Sequence, residues 1–279
     1  MKLCELDIFM QTLLSGSTFS NESYRTIYCS AEYKKAIAPF LQLAASLESE
    51  IAEYPADRRA EAFREAQRAV VRTEYGKGGT LLPLGFYGPD PVENLIVHGI
   101  HRGKILKRMT SRTKPDWIYG FDANETLRTL ILLPDAEIGI TAKTVLLDQA
   151  ERIMCLKFNE HDSRFTESET ICFQTDTGRL VRMIRIAPPI AGRVTHVEIY
   201  DYSYTSLGIN ERVCTKIFTG SAPQLPFLPA LPPTVHRTAV RFVHDEAGRV
   251  SGYYTSWSDG QRVEAAVPTE IPPEDRRFL

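Results

Sequence analysis

Between Thr170 and Ala187 the chain reads T-I-C-F-Q-T-D-T-G-R-L-V-R-M-I-R-I-A. Ile171 and Phe173 alternate with Cys172 and Gln174, and Asp176-Thr177-Gly178 then supplies turn chemistry. A second run, Leu180 to Ile186, follows with Arg182 and Arg185 as its only charges. Two alternating apolar runs around a Gly-containing connection predict a β-hairpin. Its form recurs: D-A-N-E-T-L ends at Leu127, D-Q-A-E-R-I at Ile153 and T-D-T-G-R-L at Leu180. G-I-N-E-R-V then ends at Val213, D-E-A-G-R-V at Val250 and S-D-G-Q-R-V at Val263. In each, turn residues precede an aliphatic that opens a strand. The first two spacings, 26 and 27 residues, and the last, 13, fit whole numbers of strand-plus-turn units, while the two between drift to 33 and 37. The expectation is an antiparallel meander of about eight to twelve strands, strongly twisted and possible as a curled or barrel-like sheet.

The period differs nearer the N-terminus. Ser30 reads as an N-cap, because Tyr33, Ile37, Phe40, Leu41, Ala44, Leu47 and Ile51 follow at helical spacing. Pro39 inside that pattern predicts a kink or a division. Pro55 suits the first turn of a second helix, whose stripe would be Ala60, Phe63, Ala66, Val70 and Val71, with Gly76 as C-cap. Arg58, Arg59 and Arg64 fall largely off that stripe. These patterns predict helices within residues 31–54 and 56–75, packed on the sheet. The fold class is therefore α+β, with a mainly helical region over 1–91 and the meander over 92–279. Gly76-Lys77-Gly78-Gly79 has the look of a phosphate loop, but such a loop follows a strand and opens a helix. With a helix predicted before it, it reads as a connector. Leu95-Ile96-Val97 and Ile105-Leu106 predict a first hairpin, and Trp117, Tyr119 and Phe121 share one face of a later strand.

The stretch Arg241-Phe242-Val243-His244-Asp245-Glu246-Ala247-Gly248-Arg249-Val250 resembles the YD repeat of bacterial Rhs proteins. That unit runs aromatic, any residue, aromatic, Asp, two residues, Gly-Arg-Leu. Tyr119-Gly120-Phe121-Asp122 matches its first half, and Asp176 to Leu180 resembles its second. Compact meanders of such hairpins also occur among immunity proteins that accompany bacterial polymorphic toxins. The resemblance implies a non-catalytic cytoplasmic protein that neutralises a cognate toxin by binding it.

Composition sets bounds on other functions. With 43% hydrophobic residues and a formal charge of -2, the chain can bury a core and has no global attraction to nucleic acid or anionic membrane. Glu5 and Asp7 interrupt the apolar run that a signal peptide needs, and no apolar stretch reaches membrane-span length, which predicts a cytoplasmic protein. The five cysteines are scattered without a C-x-x-C, so neither a disulfide framework nor a zinc ribbon is expected. Cys155, Cys172 and Cys214 fall in predicted strands, where burial as small hydrophobes is the simplest role. His98 and His101 would point to opposite faces of a strand, and H-E-x-x-H and G-x-S-x-G are absent. No cofactor, metal site or catalytic residue is therefore expected.

Candidate contact residues fall in three loops. Glu160, Asp162, Glu167 and Glu169 surround Phe165, an arrangement suited to a basic partner surface with Phe165 as anchor. Tyr200, Asp201, Tyr202 and Tyr204 have the composition of an adaptable contact surface, although their spacing also fits a packed strand face. The proline-rich passage from Ala222 to Pro233 reads as an extended crossing that covers a sheet edge. The basic stretch from His101 to Lys114 lacks the aromatics that stack bases, so it reads as a solvated hairpin or a contact for an acidic surface. Two alternatives remain open: a curled sheet holding a lipid or other small ligand, and an enzyme whose site lies between helices and sheet.

Overall fold

The computed structural model describes residues 30–80, 82–90, 103–109, 113–133, 141–159, 170–186, 196–219, 233–257 and 269–270. The chain forms two compact units, residues 51–188 with 277–279 and residues 1–50 with 189–276.

The 51–188 unit carries helix α2 (Ala56–Arg68) and eight strands. These are β1 (Arg72–Lys77), β2 (Lys104–Ile105), β3 (Trp117–Phe121), β4 (Leu127–Leu132), β5 (Ala142–Asp148), β6 (Ile153–Asn159), β7 (Thr170–Asp176) and β8 (Arg179–Ile186). Every pairing among them is antiparallel, in the order β8-β7-β6-β5-β4-β3-β1-β2. That order has two ends, so the sheet is open and not a barrel. One face receives α2. Phe63 meets Phe158 edge-to-face at 5.8 Å, the Lys143 ammonium lies 5.4 Å from the Phe63 ring, and the Thr129 hydroxyl donates to Gln67. The opposite face at the β1–β3 end carries an aromatic cluster. Tyr119 stacks with Trp117 at 6.0 Å and meets Tyr87 edge-on at 4.9 Å, and its hydroxyl accepts the Phe86 N–H.

The second unit carries α1 (Ala31–Ala52, whose last two residues belong to the other unit) and β9 (His196–Thr205), β10 (Gly208–Phe218), β11 (Thr234–His244), β12 (Val250–Trp257) and β13 (Thr269–Glu270). These pair antiparallel in sequence order. Val197, Ile199, Val213, Thr215, Ile217 and Val235 form a buried face by strict alternation. The Tyr33 hydroxyl of α1 accepts the Val235 N–H at 3.1 Å, and Tyr33 is fully buried.

The α+β class and the antiparallel meander follow the sequence pattern. Ser30 caps α1 as expected, its hydroxyl oxygen accepting the Tyr33 N–H at 3.1 Å. Strands open at Leu127, Ile153 and Val250, and β8 opens one residue before Leu180. Other expectations need correction. Val213 lies in mid-strand, because β10 already starts at Gly208 after a two-residue turn. α1 is not divided at Pro39, an exposed position where the carbonyl left without a helical donor belongs to exposed Lys35. α2 stops at Arg68, and residues 72–77 form β1 rather than a last helical turn with Gly76 as C-cap. Gly76 is needed there for space: a Cβ would stand 2.8 Å from the Tyr119 ring. Arg59, expected at the surface, is 1% exposed, and its guanidinium donates to the carbonyls of Tyr54 and Lys157 at 2.7 and 2.9 Å. The residues Leu95 to Val97, the strand expected at Val263 and the proline-rich passage lie outside the described residues, apart from Pro233.

Candidate functional site

In the second unit the face opposite the buried apolar one is polar. Cross-strand partners place His196 opposite Phe218, Glu198 opposite Lys216, Tyr200 opposite Cys214 and Tyr202 opposite Arg212. His236 of β11 stands beside Lys216. Glu198 is at the centre, with its side chain 8% exposed. Its Oε1 receives Lys216 Nζ at 2.6 Å and lies 3.3 Å from His196 Nε2, while Oε2 accepts the Tyr200 hydroxyl at 2.6 Å. A buried carboxylate is tolerable because these charge-assisted partners replace water. The Arg212 guanidinium lies over the Tyr200 ring at 5.1 Å. Burial, followed by the Glu198 charge, pushes the Cys214 thiol up to about 11. Near neutral pH this favours the thiol over the thiolate. At the outer end, the His196 and Phe218 rings stack at 4.8 Å, and His236 meets Phe218 edge-on at 5.8 Å. Chemically, this face holds one carboxylate as a neutralised anion within a rigid polar ladder.

The connections make a second feature. In a meander each strand reverses the chain, so successive connections alternate between two ends of the sheet. In the 51–188 unit the connections 122–126, 149–152 and 177–178 are short, whereas 133–141 and 160–169 are long. In the other unit 206–207 and 245–249 are short, whereas 219–233 and 258–268 are long. In each unit the strand ends joined by tight turns thus lie at one end of the sheet, and the strand ends joined by long stretches of chain at the other. Long connections on a rigid scaffold are where binding residues concentrate.

Two of the tight turns share one atomic plan. Asp122 Oδ1 accepts the N–H groups of Asn124 and Thr126, and Oδ2 takes the Arg128 guanidinium. Asp245 Oδ1 accepts the N–H groups of Ala247 and Arg249, and Oδ2 takes the Arg249 guanidinium. The third residue after each Asp has positive φ, Glu125 at 59° and Gly248 at 76°. The register shifts just before each Asp, between Gly120 and Phe121 and between Val243 and His244.

Of the contact residues expected from sequence, Tyr200 and Tyr202 are buried at 6% and 8%, while Asp201 and Tyr204 are half-buried. The first two therefore belong to the polar ladder. Glu160, Asp162, Phe165, Glu167 and Glu169 lie outside the described residues, as do His98, His101 and His161. Cys155, Cys172 and Cys214 are buried and in no disulfide. Gly76 and Lys77 end strand β1, contrary to the sequence argument, but the next helical turn among the described residues is only the three-residue 3-10 turn Gly85–Tyr87, too short to offer the helix N-terminus of a phosphate loop. The Gly78 N–H donates to the Asp116 carboxylate at 2.7 Å, so that N–H is already taken by an anionic group of the chain. Sequence reasoning missed Glu198, Lys216 and Arg212. Alternation on β9 and β10 marks them as one polar face, but alternation alone reads such a face as solvated. Among the described residues, no group of three or more His, Cys, Asp and Glu could hold a metal ion, and no helix is long and apolar enough to cross a membrane. No protein-family model matches the chain, and no curated protein matches it.

Proposed function

We propose that the protein is an immunity protein that neutralises a cognate bacterial toxin by binding it directly through long connections at one end of its sheet. The observation that carries this reading is the sorting of connection lengths. Neighbouring antiparallel strands such as β6 and β7 need only a tight turn, yet residues 160–169 join them. That excess chain contains Glu160, Asp162, Phe165, Glu167 and Glu169. Four acids around one aromatic ring suit a basic surface with an apolar recess, as on a protein that engages nucleic acid. The paired Asp122 and Asp245 turns support the resemblance to YD hairpins. The buried Tyr200 and Tyr202 leave the partner contact to the arm.

The test is co-expression with the product of the adjacent gene, with protection and binding measured. Phe165→Ala should weaken binding by about 2 kcal/mol or more, the scale of a buried anchor. A variant with Glu160→Gln, Asp162→Asn, Glu167→Gln and Glu169→Gln should mainly slow association and flatten its salt dependence. Full protection with unaltered affinity in both variants would remove the arm from the interface.

A further inference from the structure

We propose that the open edge of the 51–188 sheet at β2 is a docking surface for an acidic peptide segment, held by Lys104, Lys107, Arg108 and Lys114. This goes beyond the arm, since it concerns another stretch of the chain, of opposite charge. Three stretches of chain converge there. Lys104 stands directly opposite Lys77 in the β1–β2 pair. The Leu106 N–H donates to the Tyr75 carbonyl and the Asp116 N–H to the Gly76 carbonyl, each at 2.8 Å. These bonds tether the stretches carrying Lys107, Arg108 and Lys114 beside the end of β1. All four cations are exposed, and the adjacent Met109 is 42% exposed.

The nearby carboxylates are already engaged. Asp116 takes Lys77 Nζ at 2.5 Å and the Gly78 N–H at 2.7 Å. Glu74 is held by Arg72 and the Tyr87 hydroxyl. Lys104, Lys107, Arg108 and Lys114 therefore have no ion pair among the described residues. Like charges directly opposite one another weaken an antiparallel pair. A lysine on an edge strand has one ordinary use, to discourage strand addition by neighbours. That accounts for Lys104 but not for three further cations outside the ladder.

The surroundings favour a peptide over a nucleic acid. Trp117 and Tyr119 are 2% and 0% exposed and cannot stack on a base, and Tyr75, whose carbonyl accepts the Leu106 N–H, is half-buried. Among the described residues β2 ends the strand order, which leaves a backbone edge for an extended segment. Exposed Met109 adds an adaptable apolar contact.

The experiment measures fluorescence anisotropy of labelled decaglutamate with the full chain. Wild type should bind at low salt, with affinity falling as salt rises. The variant K104S/K107S/R108S/K114S should bind about tenfold more weakly or worse, with its melting temperature unchanged. K107S/R108S, which leaves the β1–β2 ladder intact, should show an intermediate loss. Absence of binding, or equal binding by wild type and both variants, would overturn the proposal. Tighter binding of an oligo-deoxythymidine of equal charge, or of phosphatidylserine vesicles, would overturn it too.

Discussion

Single residues in this chain are fixed either by backbone geometry or by space, and the two causes predict different mutant behaviour. Thr177 and Gly178 both have positive φ, at 50° and 80°, and together make the two-residue turn between β7 and β8. Such a turn requires left-handed backbone at both positions. A Cβ on Gly178 would meet nothing within 4 Å, so the cost of a side chain there is purely conformational. Gly178→Val should lower stability by about 1–2 kcal/mol, read from chemical denaturation. Unchanged stability would mean that the turn accommodates a β-branched residue in another conformation. Gly76 is the opposite case, a strand residue whose neighbour Tyr119 leaves no room for a side chain. Sequence marks both as glycines and cannot tell the two reasons apart.

At the scale of elements, the Asp122 and Asp245 turns show how a short motif specifies a hairpin. One carboxylate satisfies two backbone N–H groups and an arginine, so the loop is closed by its own side chain. The Arg128 hydrogen bond, followed by the Thr126 N–H, holds the Asp122 carboxyl below its ordinary value. At Asp245 the Arg249 N–H is the chief cause of the same shift. A carboxyl lowered in the native state stabilises the fold fully above its unfolded pKa of about 3.9. That contribution disappears as pH falls through the native value. Asp122→Asn and Asp245→Asn should therefore melt below wild type at pH 7, with the gap closing on acidification. A gap that is unchanged in acid would show that the charge contributes nothing. The sequence repeat located these turns because their hydrogen bonds are local. It failed at Val213, where the same residue pattern sits inside a longer strand whose register is set by β9 and β11.

At the scale of the whole molecule, distant parts of the chain decide which groups are buried. Tyr33 and Val235 are 202 residues apart, yet the Tyr33 hydroxyl accepts an edge N–H of β11. Tyr33→Phe would leave that buried N–H without an acceptor and should cost about 1–3 kcal/mol. Hydrogen exchange of the Val235 amide should speed up in the variant while amides in β3–β6 keep their protection. Unaltered exchange at Val235 would mean that another group covers the edge.

The sequence by itself determined the local architecture: the Ser30 cap, two helical stripes, the hairpin turns at Asp122, Gly178 and Asp245, and an antiparallel meander. Each depends on residues within a few positions of one another, and their chemistry is readable in order. Only the tertiary structure decided that Arg59 lies buried against the Lys157 carbonyl, that residues 72–77 leave α2 to pair with β3, and that Glu198, Lys216 and Tyr200 form one closed polar ladder. Those outcomes depend on partners about 18 to 98 residues away in all but the Glu198–Tyr200 bond. Alternation places a side chain on a face of its strand, and only the packed neighbours determine whether that face meets water.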